Sequence, residues 1–206
     1  GLEYIAITDH TKSLAMTGGA DEKKLLKQIV EIDKIQKKFP ELKILKGAEV
    51  NILKDGSLDI KDEVLTKLDV VGIAIHSHFN LPREEQTERI VKAMRNKNAD
   101  ILFHPTGRLI QKRGPYDVDV EEIIKIAKKT GTILEIDADP HRLDLKDEYI
   151  RKAIESGVKL AIDTDAHSKN SFHYLEFGIA QARRGWAKKG DIINTRSWQE
   201  TLKLLK

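Results

Sequence analysis

Residues 158–168, VKLAIDTDAHS, run a short apolar stretch into two acids and a histidine. Residues 5–12, IAITDHTK, do nearly the same near the other end of the chain. A brief β-branched apolar run closed by polar residues reads as a parallel strand buried on both faces. The chain holds six such runs: EYIAIT (3–8), KILKGAEVNIL (43–53), DVVGIAI (69–75), DILF (100–103), TILEID (132–137) and VKLAID (158–163).

Helical patterns separate them. In 21–39, Leu25, Leu26, Ile29, Ile32, Ile35 and Phe39 recur at spacings of three and four, with Pro40 as the stop. DVEE at 119–122 has the spacing of a capping box ahead of Ile123, Ile124 and Ala127, and Gly131 ends that helix. Ile90, Val91 and Met94 form the apolar stripe of a helix over 84–96. Ile150, Ala153 and Ile154 do so over 147–156, before Gly157. The C-terminal stretch, with FGIAQARRGW and SWQETLKLL, reads as helical. Strand–helix alternation of this kind predicts an α/β fold with a parallel sheet. Six units approach a closed barrel; a doubly wound sheet is the alternative, but it would place its ligand loop at one switch point. Here polar residues follow nearly every strand.

The 206 residues, 40% apolar and 33% charged, suit one domain with a substantial core, and no boundary or linker divides 1–206. A net charge of +3 permits a nucleic-acid partner without arguing for one. No apolar stretch has the length of a membrane span and no charged-then-apolar run ahead of a small-residue cleavage site is read, so no membrane partner and a cytoplasmic location are expected. With no cysteine, a metal must sit on His, Asp and Glu.

Five of the seven histidines follow a predicted strand: His10, His76, His78, His104 and His167. Glu49 interrupts the second apolar run, and Asp163 and Asp165 follow the sixth. In a parallel barrel all strand C-termini meet at one rim, so these residues converge although they are distant in sequence. Imidazoles and carboxylates without thiols suit zinc, manganese or iron. More than four such ligands imply several ions, a site type that activates water and clamps phosphoryl oxygens. No glycine-rich nucleotide loop, Walker motif or nucleophile elbow competes. A single histidine at a strand end is more often structural than a ligand; the set is what favours metal. His173 reads as structural, and His141 belongs to neither class on sequence.

ITDHT, the glutamate of GAEVN, AIHSHF, LFHPTGR and DTDAHS resemble the motifs of polymerase-and-histidinol-phosphatase (PHP) domains. HPTGRLIQKRGPYDVD (104–119), EIDADPHRLDL (135–145) and ARRGWAKKGDIINT (182–195) resemble the C-terminal PHP domain of bacterial and archaeal family X DNA polymerases. The resemblance covers essentially the whole chain. It implies a distorted seven-stranded, TIM-like β/α barrel around as many as three ions, manganese or zinc, with iron a further choice. By the same resemblance the metal ligands are His10, Glu49 as bridging carboxylate, His76, His104, Asp165 and His167. Glu49, Asp165 and Asp9 are then the catalytic carboxylates, with Asp9 orienting a neighbour. Arg108, Arg113 and Arg142 are read as phosphate clamps, and His78 as a supporting or substrate-contacting group. The family's opening His-x-His strand has no counterpart here, so the chain is expected to be a PHP metallo-phosphoesterase domain lacking its first strand.

The implied activity is metal-dependent 3′–5′ exonuclease or end processing of DNA in repair, with DNA 3′ ends and an N-terminal polymerase domain as partners. A phosphatase for a small phosphate monoester, and a metal-stabilised scaffold without catalysis, are the alternatives. Without the His-x-His pair, the expectation is about one tightly held ion, at Glu49, His76 and His104, and little exonuclease activity unless the missing segment is supplied.

Overall fold

The computed structural model describes residues 1–14 and 18–206. Its strands are β1 (Tyr4–His10), β2 (Lys43–Asn51), β3 (Val70–Ala74), β4 (Ile101–Leu102), β5 (Ile133–Asp137) and β6 (Leu160–Asp163). Between and after them come α1 (Glu22–Gln36), α2 (Asp62–Leu65), α3 (Arg83–Met94), α4 (Val120–Thr130), α5 (Asp147–Glu155), α6 (Leu175–Arg184) and α7 (Trp198–Leu202). All pairings are parallel and the spatial order is simply β1 to β6. That sequential order is barrel winding; a doubly wound sheet reverses order at its switch point. The six described strands curl into a partial barrel, one strand short of seven, and a cavity of about 530 Å³ is lined by both β1 and β6.

Side chains alternate across each strand and so divide into two cores. Ala48, Val50, Val71, Ile73, Leu102, Leu134 and Ile136 face the helices, meeting Leu25, Ile90, Met94, Ile123 and Ile150. Leu45, Val70, Ala74, Ile101, Phe103, Ile133 and Ala161 pack inside the curl. The same alternation carries Glu49 and Asn51 of β2, Glu135 and Asp137 of β5, and Asp163 of β6 inward. Polar chemistry therefore fills the C-terminal end of the curl and apolar residues its other end. Gly72 sits where the Phe103 ring crosses β3; a Cβ there would lie 1.9 Å from that ring.

Helix limits follow local chemistry. Asp21 caps α1 by accepting from the Lys24 amide, and α1 ends at Gln36, ahead of Pro40. The Gln36 side chain donates to the Phe39 and Leu42 carbonyls and accepts from Ile44 N, stitching the turn into β2. The inward stripe of α1 is narrower than its spacing suggested. Leu25 and Ile32 are buried, while Leu26, Ile35 and Phe39 are 37%, 43% and 54% exposed. Asp119 caps α4 through the Glu122 amide, but the Glu122 carboxylate turns to Lys125, so the reciprocal half of the expected box does not form. Gly131 closes α4 with φ 74°, a left-handed position open to glycine at no steric cost. The C-terminal stretch is helical in pieces, α6 and α7 with 3-10 turns between, and α7 opens with a complete Ser197–Glu200 capping box.

Among the described residues, no helix is long and apolar enough to cross a membrane.

Candidate metal centre

Parallel register sets the site. His10 lies opposite Glu49 on the neighbouring strand, and Glu49 lies opposite Gly72, whose strand leads on to His76. Glu49 is 5% exposed. Its Oε1 lies 2.9 Å from His104 Nε2 and 3.0 Å from His76 Nε2, and its Oε2 lies 3.1 Å from His10 Nδ1. The two oxygens thus serve different imidazoles, which suits a carboxylate placed between two cation positions. The rings are in contact: centroids are 5.0 Å apart for His10 and His76, 5.2 Å for His76 and His104, and 5.7 Å for His10 and His167.

His104 would point toward the helices if β4 simply continued its alternation past Phe103. A left-handed backbone, φ 29°, turns it into the site instead. Its amide donates to Glu135 Oε2, which helps hold that uncommon conformation. Asp165 does the same at the end of β6, with φ 44°. His167 Nδ1 faces the Asp165 carbonyl at 2.8 Å and its Oδ1 at 3.6 Å, and the side chain is 67% exposed. His76 Nδ1 meets Asn51 Oδ1 at 2.7 Å, and the buried Asn51 amide is held in turn by Thr11 and Asp59.

One donor atom from each of His10, Glu49 and His76 falls within 4.8 Å of the others. These three residues can hold a metal ion, and His104 adds a further nitrogen beside Glu49. The donor set, imidazole nitrogen and carboxylate oxygen without sulfur, fits a divalent first-row cation. Burial pushes the Glu49 carboxyl up, but hydrogen bonds from His104 and His76 outweigh burial and hold it well below the usual carboxylate range. Burial lowers His76, favouring the neutral ring that ligates metal, against an upward pull from Glu49.

A second group of acids lies inside the curl. Glu135 and Asp137 are buried and Asp163 partly so; the first two are pushed well up by burial and by the charge of Asp163. Burial pushes Asp163 up as well, to about 7. Arg142 is the nearby cation: its Nε lies 3.4 Å from both Asp137 Oδ2 and Asp165 Oδ2. Glu135, Asp137 and Asn51 do not stand out on sequence. Two-residue spacing from Glu49 to Asn51 and from Glu135 to Asp137 was the available signal, since it puts each pair on one strand face.

The other expected site residues are placed less directly. Asp9 lies on the helix-facing side of β1, with Oδ2 2.6 Å from Gln28 Nε2, rather than against a histidine. Arg108 donates to the Arg142 and Leu143 carbonyls, bracing the loop after β5. Arg113 donates to the Gly107 carbonyl and lies over the Phe79 ring at 4.1 Å. His78 is exposed, with φ 55°. His141 bonds to Asp139 within its own turn, and His173 packs edge-on to Tyr174.

No protein-family model matches the chain. A DNA polymerase/3′-5′ exonuclease PolX of Bacillus subtilis (strain 168) is 43% identical over 206 residues, which is 100% of this chain and 36% of that protein. A probable phosphatase of Thermoanaerobacter sp. (strain X514) is 32% identical over 205 residues, covering 95% of this chain and 79% of the phosphatase. Among solved structures, the fold is similar to histidinol phosphate phosphatase of Lactococcus lactis, crystallised with zinc, L-histidinol and phosphate. The TM-score is 0.56 at 18% identity, over 88% of this chain and 82% of the other.

Proposed function

Because the chain belongs to the PHP family of metal-dependent phosphoesterases, we propose that it hydrolyses phosphodiesters at DNA 3′ ends, as part of a family X DNA polymerase. The observation that carries this reading is 43% identity to a polymerase/exonuclease over the full chain, joined to a histidine–carboxylate cluster of the right chemistry. The chain spans 36% of that relative's length, so the polymerase context and DNA as partner are part of the proposal.

In this reading His10, Glu49, His76, His104, Asp165 and His167 hold cations, with Glu49 between two positions. Bound manganese or zinc supplies Lewis acidity toward phosphoryl oxygens and an acidified water. The chain's own residues shape the rest. Burial of Glu49 and His104 keeps water from competing for their lone pairs. Arg142, poised between Asp137 and Asp165, takes a substrate phosphate by charge-assisted hydrogen bonds. Arg108 keeps Arg142 in place through the loop carbonyls. Arg113 and His78 border the same rim from the loops after β4 and β3. Asp9, tied to Gln28, fixes the end of β1 and so the approach of His10.

A second reading, hydrolysis of a small phosphate monoester, is favoured by the probable phosphatase, 79% of whose length the chain covers. A scaffold without catalysis is the third. Incubating the chain with a 5′-labelled DNA primer, and separately with small phosphate esters, with and without Mn²⁺, distinguishes them. Mn²⁺-dependent shortening of the primer is expected, slow with this chain alone and weakened further in Arg142→Ala while metal content is kept. Phosphate release from the small esters with an intact primer would select the second reading. No hydrolysis of either substrate, also when the chain is tested within the longer polymerase, would select the third.

A further inference from the structure

Asn51 lies at the end of β2, is 4% exposed, and uses its whole side chain. Its Nδ2 is 2.8 Å from Thr11 Oγ1, 3.2 Å from the Thr11 carbonyl and 2.9 Å from Asp59 Oδ2. A carbonyl and a carboxylate can only accept. Turning the amide over would set its oxygen against both, so the side chain has one orientation. Asp59 is itself anchored: Thr11 Oγ1 donates to its Oδ1 at 2.7 Å, and the Ser13 amide donates to its Oδ2 at 2.9 Å. The Asn51 oxygen is therefore the atom presented to His76 Nδ1, at 2.7 Å.

An oxygen acceptor at that distance requires a hydrogen on Nδ1. In the neutral ring Nε2 is then the lone-pair nitrogen, and Nε2 is the atom aimed at Glu49 Oε1, 3.0 Å away. His104 has no such arrangement, since its Nδ1 is buried without a partner.

We propose that Asn51, locked by Thr11 and Asp59, is a positioning residue that fixes the Nδ1–H tautomer of His76 and so presents Nε2 to the cation. This inference rests on the reading that the site takes a cation, because without one the ionised Glu49 carboxylate, 3.0 Å away, draws a hydrogen onto Nε2. Outer partners of ligating histidines act in this way in other sites, orienting the ring and raising its basicity.

The test uses the ¹⁵N-labelled chain loaded with Zn²⁺. Two-bond ¹H–¹⁵N correlations, assigned by loss of one ring pattern in His76→Asn, report which nitrogen carries hydrogen. Nδ1–H is expected in the wild-type chain. In Asn51→Leu the Nε2–H form should grow, and Zn²⁺ affinity should fall by about ten- to a hundred-fold. A purely structural Asn51 would leave the tautomer unchanged. An Nε2–H ring in the wild-type chain overturns the proposal without any variant, as does unchanged Zn²⁺ affinity in a folded Asn51→Leu. A wild-type chain that takes up no Zn²⁺ overturns the cation reading. The wrong tautomer in a chain that does bind Zn²⁺ overturns this proposal alone.

Discussion

The centre of the sheet and its β1 edge are made by the same strand–helix grammar but differ in depth. Every residue of β3 is buried, while no residue of β1 is. Helix α3, packed over the centre, buries Ile90, Val91 and Met94. Helix α1, over the edge, buries only Leu25 and Ile32. The candidate metal centre straddles the two. On the central side His104, Glu49 and His76 form a hydrogen-bonded wall in which His104 and Glu49 are buried and His76 is partly so. On the edge side His10 is partly exposed and His167 mostly so. The lesson is about preorganisation: ligands held before the ion arrives cost less to order, so the wall should dominate affinity.

Removing ligands breaks this comparison most sharply. Glu49→Ala should abolish metal retention after dialysis, because its carboxylate faces imidazoles on both sides. His76→Ala should lose most retained metal, and His167→Ala much less. Elemental analysis of the dialysed variants checks the series, and equal losses at His76 and His167 would refute the division. The same measurement tests the expectation of about one tightly held ion per chain at the wall.

Packing gives the next effect. Ile90→Ala at the centre should cost about 2–5 kcal/mol, from lost transfer energy and a cavity, read by denaturant unfolding.

The interior acids give a smaller effect with a definite sign. Asp163 has a native pKa raised to about 7, above its unfolded value of about 3.9. Between those values the native metal-free chain binds more protons than the unfolded one, so stability falls as pH rises through that window. Asp163→Asn should flatten that decline and raise metal-free stability at pH 8 by on the order of 1–3 kcal/mol. Unfolding curves at pH 5 and pH 8, in chelator, read it. An unaltered pH slope would show that burial does not raise Asp163 as placed.

At the edge, Val30→Ala on α1 should change stability by no more than about 0.5 kcal/mol, because the side chain is already 51% exposed.

The strands were legible because both-face burial leaves continuous apolar runs; five of the six fall within the expected segments, and β1 runs two residues past its own, to His10. The convergence of His10, Glu49, His76 and His104 was legible because parallel strands end on one side. Three things were not. The spacing of Leu26, Ile35 and Phe39 matches a helical stripe, but periodicity says nothing about how much neighbouring structure covers it. Arg108 carries the charge of a phosphate clamp, yet its hydrogen bonds to the 142–143 carbonyls depend on a loop arrangement no local pattern encodes. His104 reaches the site through a left-handed backbone that strand alternation does not anticipate.

Gly72 carries no side chain and touches no candidate ligand, yet it limits which sequences can carry this site. The Phe103 ring occupies the space a Cβ would need, and Phe103 immediately precedes His104. Any substitution at Gly72 must move that ring and pull on the backbone that turns His104 inward. Exchanging Gly72 and Phe103 together for an alanine and a smaller residue would relieve the clash, while neither change alone is well accommodated. Divergence at these two positions is therefore expected to be correlated, a linkage between a bare backbone position and a chemical one that would be visible in the sequences of relatives.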